Sequence, residues 1–371
     1  MLMGICFFSF SVIAQENFEA KFQLLKASKS KVNFKNQLTE DQYNNILRYE
    51  YFYNGGGVAI GDLDNDGLDD IFFTGNMVSN RLYKNLGGLK FEDLTKPAGI
   101  GGKKAWATGV SMADVNADGL LDIYISYSGK GDEQSRKNEL WINQGGFKFE
   151  EKAEQFGIAD PSNSTQALFF DFDRDGDLDL YLLNHHIQVI NELEFDEVKQ
   201  IRHPTAGDKL YRNDNGKFID ISQSAGIKGS ALGFGLAVIA SDINGDGWTD
   251  ILVTNDYIEP DYLYINQKDG TFKDELASFF QHISHFSMGA DIADINNDGL
   301  KDIYTLDMLP EDNRRQKLLY GPENYEQYAL MIKKGFYHQN MRNMLQLNLG
   351  NGNFSEVGQL AEISNTDWSW S

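Results

Sequence analysis

The stretch "GDLDNDGLDDIFF", residues 61–73, sets Asp62, Asp64, Asp66 and Asp70 within nine positions and runs straight into apolar residues. Carboxylates crowded this closely repel one another unless positive charge lies among them. The pattern returns as "ADVNADGLLDIYI" from Ala113, "FDFDRDGDLDLYL" from Phe170, "SDINGDGWTDILV" from Ser241 and "ADINNDGLKDIYT" from Ala293. Its common form is D-x-[DN]-x-D-G-x-x-D, starting at Asp62, Asp114, Asp171, Asp242 and Asp294, at spacings of 52, 57, 71 and 52 residues. A second pattern comes after each one: "NRLYKNLGGLKFEDLTKPAGI", "NELWINQGGFKFEEKAEQFGI", "DKLYRNDNGKFIDISQSAGI", "DYLYINQKDGTFKDEL" and "RNMLQLNLGNGNFSEV". Two linked motifs recurring five times define an internal repeat.

The repeat unit reads as four strands. An apolar stretch such as "GVAI" precedes the acidic loop and a β-rich run such as "DIFFTG" succeeds it. The "RLYKN" segment is a third strand, joined to a fourth ("LKFEDL") through Gly-Gly, Asn-Gly or Asp-Gly, dipeptides that supply the positive φ of tight hairpins. A four-stranded unit of about 50 residues, repeated, is the signature of a β-propeller blade. The expected fold is all-β: a propeller of four-stranded blades, with five complete repeats and part of a sixth.

Both chain ends bear on the register of the ring. "NTDWSWS" at the C-terminus resembles the lead-ins "HFSMG" and "KAWATG", so a sixth loop is expected just beyond Ser371. "KFQLLKASKSKVNF", from Lys21, resembles the fourth-strand segment "KFEDLTKPAGI" and is expected to donate the outer strand of the last blade. Both readings make the chain a fragment of a longer protein, with an open sheet edge. The opening "MLMGICFFSFSVIAQ" is apolar and too short to span a bilayer; Val12 and Ala14 fit a signal-peptidase site, giving a signal peptide over 1–14 and a propeller over 15–371. Cys6 is the single cysteine, and a lipidation site is the other reading of it. After cleavage no disulfide is available to a secreted chain, so something else must hold it together.

Side-chain oxygens at loop positions 1, 3 and 5 converge because Gly at position 6 lets the backbone turn sharply. The position-7 carbonyl and the position-9 carboxylate complete an oxygen cage suited to Ca²⁺. The expected ligands are Asp62, Asp64, Asp66, Leu68 and Asp70 in loop one, and Asp114, Asn116, Asp118, Leu120 and Asp122 in loop two. Loop three offers Asp171, Asp173, Asp175, Asp177 and Asp179; loop four Asp242, Asn244, Asp246, Trp248 and Asp250; loop five Asp294, Asn296, Asp298, Leu300 and Asp302. Asparagine at position 3 removes a charge, so loops two, four and five should bind more weakly. Five Ca²⁺ would take the formal charge from −22 to −12. The EF-hand is excluded, because position 12 is Phe73, Ile125, Leu182, Val253 or Thr305 where that motif needs Glu and a succeeding helix. Solvated acidic turns are the alternative, since Asp, Asn and Gly favour turns.

A formal charge of −22 argues against nucleic-acid binding and against docking on an anionic membrane. Hydrophobic residues at 41% and aromatics at 13% suffice for a substantial core.

The loops, with "LYKNLGGLKFEDLT" and "AGI", resemble the FG-GAP/VCBS repeat family known from integrin α-subunit propellers. The longer stretch "YEYFYNGGGVAIGDLDNDGLDDIFFTGNMVSNRLYKN" resembles secreted bacterial VCBS-repeat proteins related to cartilage acidic protein. The resemblance implies seven blades in the full protein, Ca²⁺ in interstrand loops, and in longer relatives a C-terminal ASPIC/UnbV-type domain.

Three insertions interrupt the repeat: "SGKGDEQSRK" over 128–137, the segment 185–208, and the segment 309–342. The last two show helical apolar spacing, and the third gathers Arg314, Arg315, Lys317, Lys333 and Lys334 with Tyr320, Tyr325, Tyr328 and Tyr337. Such loops on a rigid scaffold either carry binding, here of a protein or glycan ligand, or merely cap the ring. His185, His186, His282 and His285 are candidates for a catalytic or metal role, but adjacent strand residues face opposite ways. No nucleophile elbow, P-loop or HExxH is present. The expected function is a secreted, calcium-binding interaction module of the cell surface or periplasm. The competing readings are a calcium-dependent polysaccharide lyase and a scaffold for a further C-terminal domain.

Overall fold

The computed structural model describes residues 22–187, 190–191, 194–319 and 325–367. The expected signal peptide over 1–14, Cys6, Tyr320 and the terminal residues from Trp368 lie outside the described residues.

Each repeat forms one four-stranded antiparallel meander, and there are five among the described residues. Blade one comprises β1 (Val58–Gly61), β2 (Asp70–Phe73), β3 (Arg81–Asn85) and β4 (Phe91–Asp93). Blade two comprises β5 (Ala107–Ala113), β6 (Asp122–Tyr127), β7 (Glu139–Asn143) and β8 (Phe149–Glu151). Blade three is β9 (Ser164–Phe170), β10 (Asp179–Asn184), β11 (Lys209–Asn213) and β12 (Phe218–Asp220). Blade four is β13 (Gly235–Ser241), β14 (Asp250–Asn255), β15 (Tyr262–Asn266) and β16 (Phe272–Asp274). In the fifth repeat a short parallel pair, β17 (Ile283–Ser284) and β20 (Gln339–Asn340), accompanies the blade itself: β18 (Ala290–Ala293), β19 (Asp302–Thr305), β21 (Met344–Asn348) and β22 (Phe354–Glu356). The expected hairpin chemistry holds; Asn215 and Gly216, at the β11–β12 turn, both have positive φ.

The blades stack face to face. One apolar cluster joins blades one and two through Phe72, Leu82, Ile123 and Tyr127; another joins two and three through Tyr124, Leu140, Leu180 and Tyr211. Tyr181, Leu183, Val253 and Tyr264 join three and four, and Leu252, Leu263, Ile303 and Phe354 join four and five. Because each inner blade has a neighbour on both sides, every residue of β6, β10 and β14 is buried. Apolar alternation therefore gives way to continuous apolar runs in these strands. These repeats and their interblade cores fit a β-propeller.

The asparagine ending the third strand ties blades together. Asn143 Nδ2 donates 2.8 Å to the Leu63 carbonyl of blade one, and Asn266 Nδ2 donates 2.9 Å to the Phe172 carbonyl of blade three.

The expected outer strand finds no partner blade among the described residues. No strand forms over residues 22–34; the chain makes a helical turn at Ala27–Ser30 and then lies along blade one. There Phe34 stacks on Phe73 at 5.0 Å, Tyr83 Oη donates 2.8 Å to Asn33 Oδ1, and Asn36 Nδ2 donates 2.5 Å to Asn76 Oδ1. A strand needs a partner for its backbone groups, and no described residue offers one. Phe22 and Leu24 accordingly stand 94% exposed, where the matching Phe91 is buried.

Candidate functional site

The five acidic loops each join the first strand of a blade to its second, and they share one geometry. Position 1 caps the loop: Asp62 accepts from the Asp66 and Gly67 N–H groups at 3.1 and 2.7 Å. Asp114, Asp242 and Asp294 make the same pair of bonds, and Asp171 accepts from Arg174 and Gly176. The position-5 carboxylates of Asp66, Asp118, Asp175, Asp246 and Asp298 accept from the N–H groups of Leu68, Leu120, Asp177, Trp248 and Leu300 at 2.8–3.2 Å. Gly67, Gly119, Gly176, Gly247 and Gly299 all take positive φ, as position 6 requires. Position 4 is left-handed too, at Asn65, Ala117, Arg174, Gly245 and Asn297, which the motif does not announce.

Position 9 has an additional role. Asp70 is buried and braces the blade, with Oδ2 accepting from Leu63 N at 3.1 Å and Oδ1 from Asn85 N at 2.8 Å. Asp122, Asp179, Asp250 and Asp302 repeat this bracket. Burial pushes the carboxyls of Asp122 and Asp250 up to about 6 and that of Asp179 up to about 7, and like charge in the loops adds to the shift.

Position 3 divides the loops into two kinds. Where it is Asn116, Asn244 or Asn296, the amide donates to the position-5 carboxylate at 2.9–3.1 Å, replacing repulsion by a hydrogen bond. Where it is Asp64 or Asp173, no such donor exists, and the third strand supplies a cation. Lys84 of β3 bonds Asp64 and Asp66; Arg212 of β11 pairs with Asp214 at 2.7 Å and acts electrostatically on Asp173 and Asp179. The matching residues of the other blades are Ile142, Ile265 and Leu347. In loop four Lys268 reaches Asp246 at 3.1 Å from an exposed hairpin.

In loops one and three the carboxylates also converge. Oxygens of Asp62, Asp64 and Asp70, and of Asp171, Asp173 and Asp179, lie within 4.8 Å of one another. Asp64 Oδ1 is buried without a hydrogen-bond partner. An orphaned carboxylate oxygen amid converging acids fits a hard divalent cation. The position-12 residues lie in second strands, as the exclusion of an EF-hand requires.

The opposite ends of the second strands lead to the other rim, where all three insertions emerge. There a cavity of about 940 Å³ opens. Leu47–Tyr51 ahead of β1, Lys130 and Gly131, His186 and Phe195, Leu232 and Phe234, Tyr257, His285 and Phe286, and Tyr328, Phe336 and Tyr337 line it. Its aromatic floor is tightly set: Tyr51 lies 4.6 Å from Phe234, and Phe234 lies 5.0 Å from Tyr257, centroid to centroid. Tyr51 donates to buried Asp256, and Tyr257 Oη donates 2.6 Å to Glu50.

The insertions are partly helical, at Glu133–Arg136, Phe195–Val198, Asn313–Leu319 and Tyr325–Lys333. The third contributes Tyr328 and Tyr337 to the cavity, but its cations look elsewhere: Arg315 pairs with Asp367 at 2.6 Å and Lys334 with Asp196 at 3.4 Å. The histidines do not assemble. His185 is buried against Ser128 Oγ at 2.6 Å, His186 and His285 line the cavity, and His282 lies 3.2 Å from Glu356. Arg48 carried no motif to mark it, whereas Lys130 lies in the first insertion and Tyr49 to Tyr51 open the stretch that carries the family resemblance.

Five successive four-stranded repeats, each with an acidic loop between its first and second strands, define a repeat protein of the propeller-blade type. Residues 62–125, 127–182 and 242–305 match the FG-GAP-like repeat, so the chain carries FG-GAP-like repeats. Cartilage acidic protein 1 of Xenopus tropicalis is 27% identical over 210 residues, covering 55% of this chain and 29% of that protein. Integrin alpha-3 of Mus musculus is 33% identical over 97 residues, 23% of this chain and 9% of that protein. The chain thus spans under a third of the length of these relatives. An Agrocybe aegerita lectin structure aligns over 84% of this chain and 81% of its own at 16% identity, with a TM-score of 0.34. No described helix is long and apolar enough to cross a membrane.

Proposed function

We propose that this protein is a secreted, calcium-braced β-propeller that acts as an interaction module. About five Ca²⁺ ions sit in the acidic loops, held by the residues at positions 1, 3, 5, 7 and 9, and take the place of disulfides. The ligand, a protein segment or a glycan, docks on the insertion rim. The observation that carries the binding role is the 940 Å³ cavity built from blade connections on that rim. Homology to integrin alpha-3 and cartilage acidic protein 1 favours an interaction module over an enzyme. A lyase assisted by a loop-bound ion is disfavoured by topology, since loops and cavity lie at opposite ends of the second strands.

Two measurements test this. Thermal melting of the full chain in millimolar Ca²⁺ and in excess EGTA should differ strongly, because ions that bind only the folded state stabilise by about 2.7 kcal/mol per site at a hundredfold excess over Kd. Identical melting curves would sink the metal reading. Ala231 also lines the cavity, and the variant Ala231→Trp, which narrows it, should lose binding to cell-envelope or matrix ligands captured by the parent chain while remaining folded by melting. Unchanged capture would remove the cavity from the binding role.

A further inference from the structure

We propose that the cavity on the insertion rim binds an acidic sugar, a uronate-bearing glycan end; this rests on the reading of the chain as an interaction module.

Three features select the ligand. The first is charge. In a chain of formal charge −22, the lining carries two cations, Arg48 and Lys130, against one carboxylate, Glu50. Both cations are exposed and make no ion pair among the described residues, whereas Glu50 is engaged by the Tyr257 hydroxyl at 2.6 Å. The lining is therefore net positive by one on a strongly negative body, which concentrates an anion at this place and repels it elsewhere.

The second feature is the walls. Aromatic faces from separate connections enclose the space, among them Phe234, Phe286 and Phe336, and His285 stacks on Phe286 at 4.1 Å. Burial holds the His285 imidazole down at about 4, so it stands neutral, one nitrogen a donor and the other an acceptor. Flat apolar faces beside planar polar groups suit the C–H face and hydroxyl edge of a pyranose ring.

The third is what the cavity does not offer. An acidic peptide held in extended form pairs with the free edge of a strand, and of the described lining residues only Gln339 lies in a strand. A nucleotide needs a phosphate cradle at a helix N-terminus or glycine-rich loop. The loop Gly129–Gly131, which gives Lys130 and Gly131 to the lining, leads into a helical turn whose N-terminus the Asp132 carboxylate already caps, accepting from Ser135 N at 2.8 Å, so a phosphate there would meet like charge. The volume of about 940 Å³ lies at the upper end of small-ligand sites and accommodates more than one sugar ring.

The experiment is calorimetric titration of the full chain, in millimolar Ca²⁺, with trigalacturonate, maltotriose, hexaglutamate and AMP. Trigalacturonate should bind, with affinity falling as salt rises. Arg48→Met and Lys130→Met should each weaken it about tenfold, the loss of one charge-assisted hydrogen bond. Phe286→Ala should weaken it as well, and melting should report both cation variants as folded. Equal binding of maltotriose, or binding of hexaglutamate or AMP alone, overturns the assignment, and so does the absence of heat with any probe. Hexaglutamate binding would leave the interaction-module reading standing. Indifference of the melting curve to Ca²⁺ strikes the metal reading and not this one.

Discussion

The Lys84 ammonium stands 2.8 Å from Asp66 Oδ2 and bonds Asp64 as well, so a lysine of the third strand supplies positive charge to the first acidic loop. It balances the charge of an aspartate at position 3, and it also competes with any metal ion for the same oxygens. Lys84→Met should lower stability in EGTA by about 1 kcal/mol, the scale of a half-exposed ion pair. In Ca²⁺ the competitor is gone and the affinity of loop one should rise. Calcium titration monitored by calorimetry checks this; a fall in affinity would show that Lys84 assists the ion.

Asp64 and Asp70 belong to one loop but should fail differently. Asp70 accepts two backbone N–H groups, so Asp70→Ala leaves both unpaired and should destabilise the chain by about 2–4 kcal/mol even in EGTA. Asp64→Ala should matter chiefly when Ca²⁺ is present. Urea denaturation of the two variants with and without the ion gives the comparison. Equal losses in EGTA would contradict the division between bracing and ligating carboxylates.

Asp208 precedes the third strand of blade three and accepts from Asn184 N at 2.9 Å and from the Tyr181 hydroxyl at 2.9 Å. Burial pushes its carboxyl up to about 7. The folded chain then holds this proton more tightly than the unfolded chain does, so stability falls as pH rises from about 4 to about 7 and stays low above that. The contribution is at most about 4 kcal/mol. Blade five places Asn343 at the same position, where its amide donates 3.0 Å to the Tyr304 hydroxyl. Asp208→Asn should therefore be more stable than the parent at pH 8 and no better at pH 4. Urea midpoints at the two pH values, both in EGTA, measure it, and equal pH slopes for the two chains would refute it.

Ala117 holds a left-handed backbone, φ 56°, at a position where loops one and five use asparagine and loop four glycine. Left-handed geometry costs an ordinary residue about 1–2 kcal/mol, and asparagine tolerates it better. Ala117→Asn should raise the melting temperature, with a gain below about 1 kcal/mol. A drop would mean that the larger side chain disturbs the loop.

The legible part of this molecule was its periodic part. Aspartate at positions 1, 5 and 9 and glycine at 6 fixed loop and turn together, because local backbone geometry demands those residues. The asparagine closing each third strand recurs five times as well, but only the structure shows that Asn143, Asn266 and Asn348 bridge to the preceding blade. Residues 22–34 read as a strand because their pattern matches a fourth strand, yet pairing depends on a partner that local sequence does not contain. The cavity was legible only as insertions. Arg48, Lys130 and Tyr257 come from three connections, brought together by the arrangement of blades and by no spacing along the chain.

In blade two the strand β6 holds an acidic loop at one end and the cavity rim at the other. Asp122 anchors the loop at the start of the strand, and just past its end Ser128 holds His185 beneath the far rim. A rigid strand separates the two tasks, so the connections of the far rim can be lengthened, shortened or exchanged without disturbing the aspartates. The molecule is built like a tool with a fixed handle and a replaceable head. Lineages sharing this handle are free to diverge in what they grip, and a foreign recognition segment grafted between β6 and β7 should inherit the same footing.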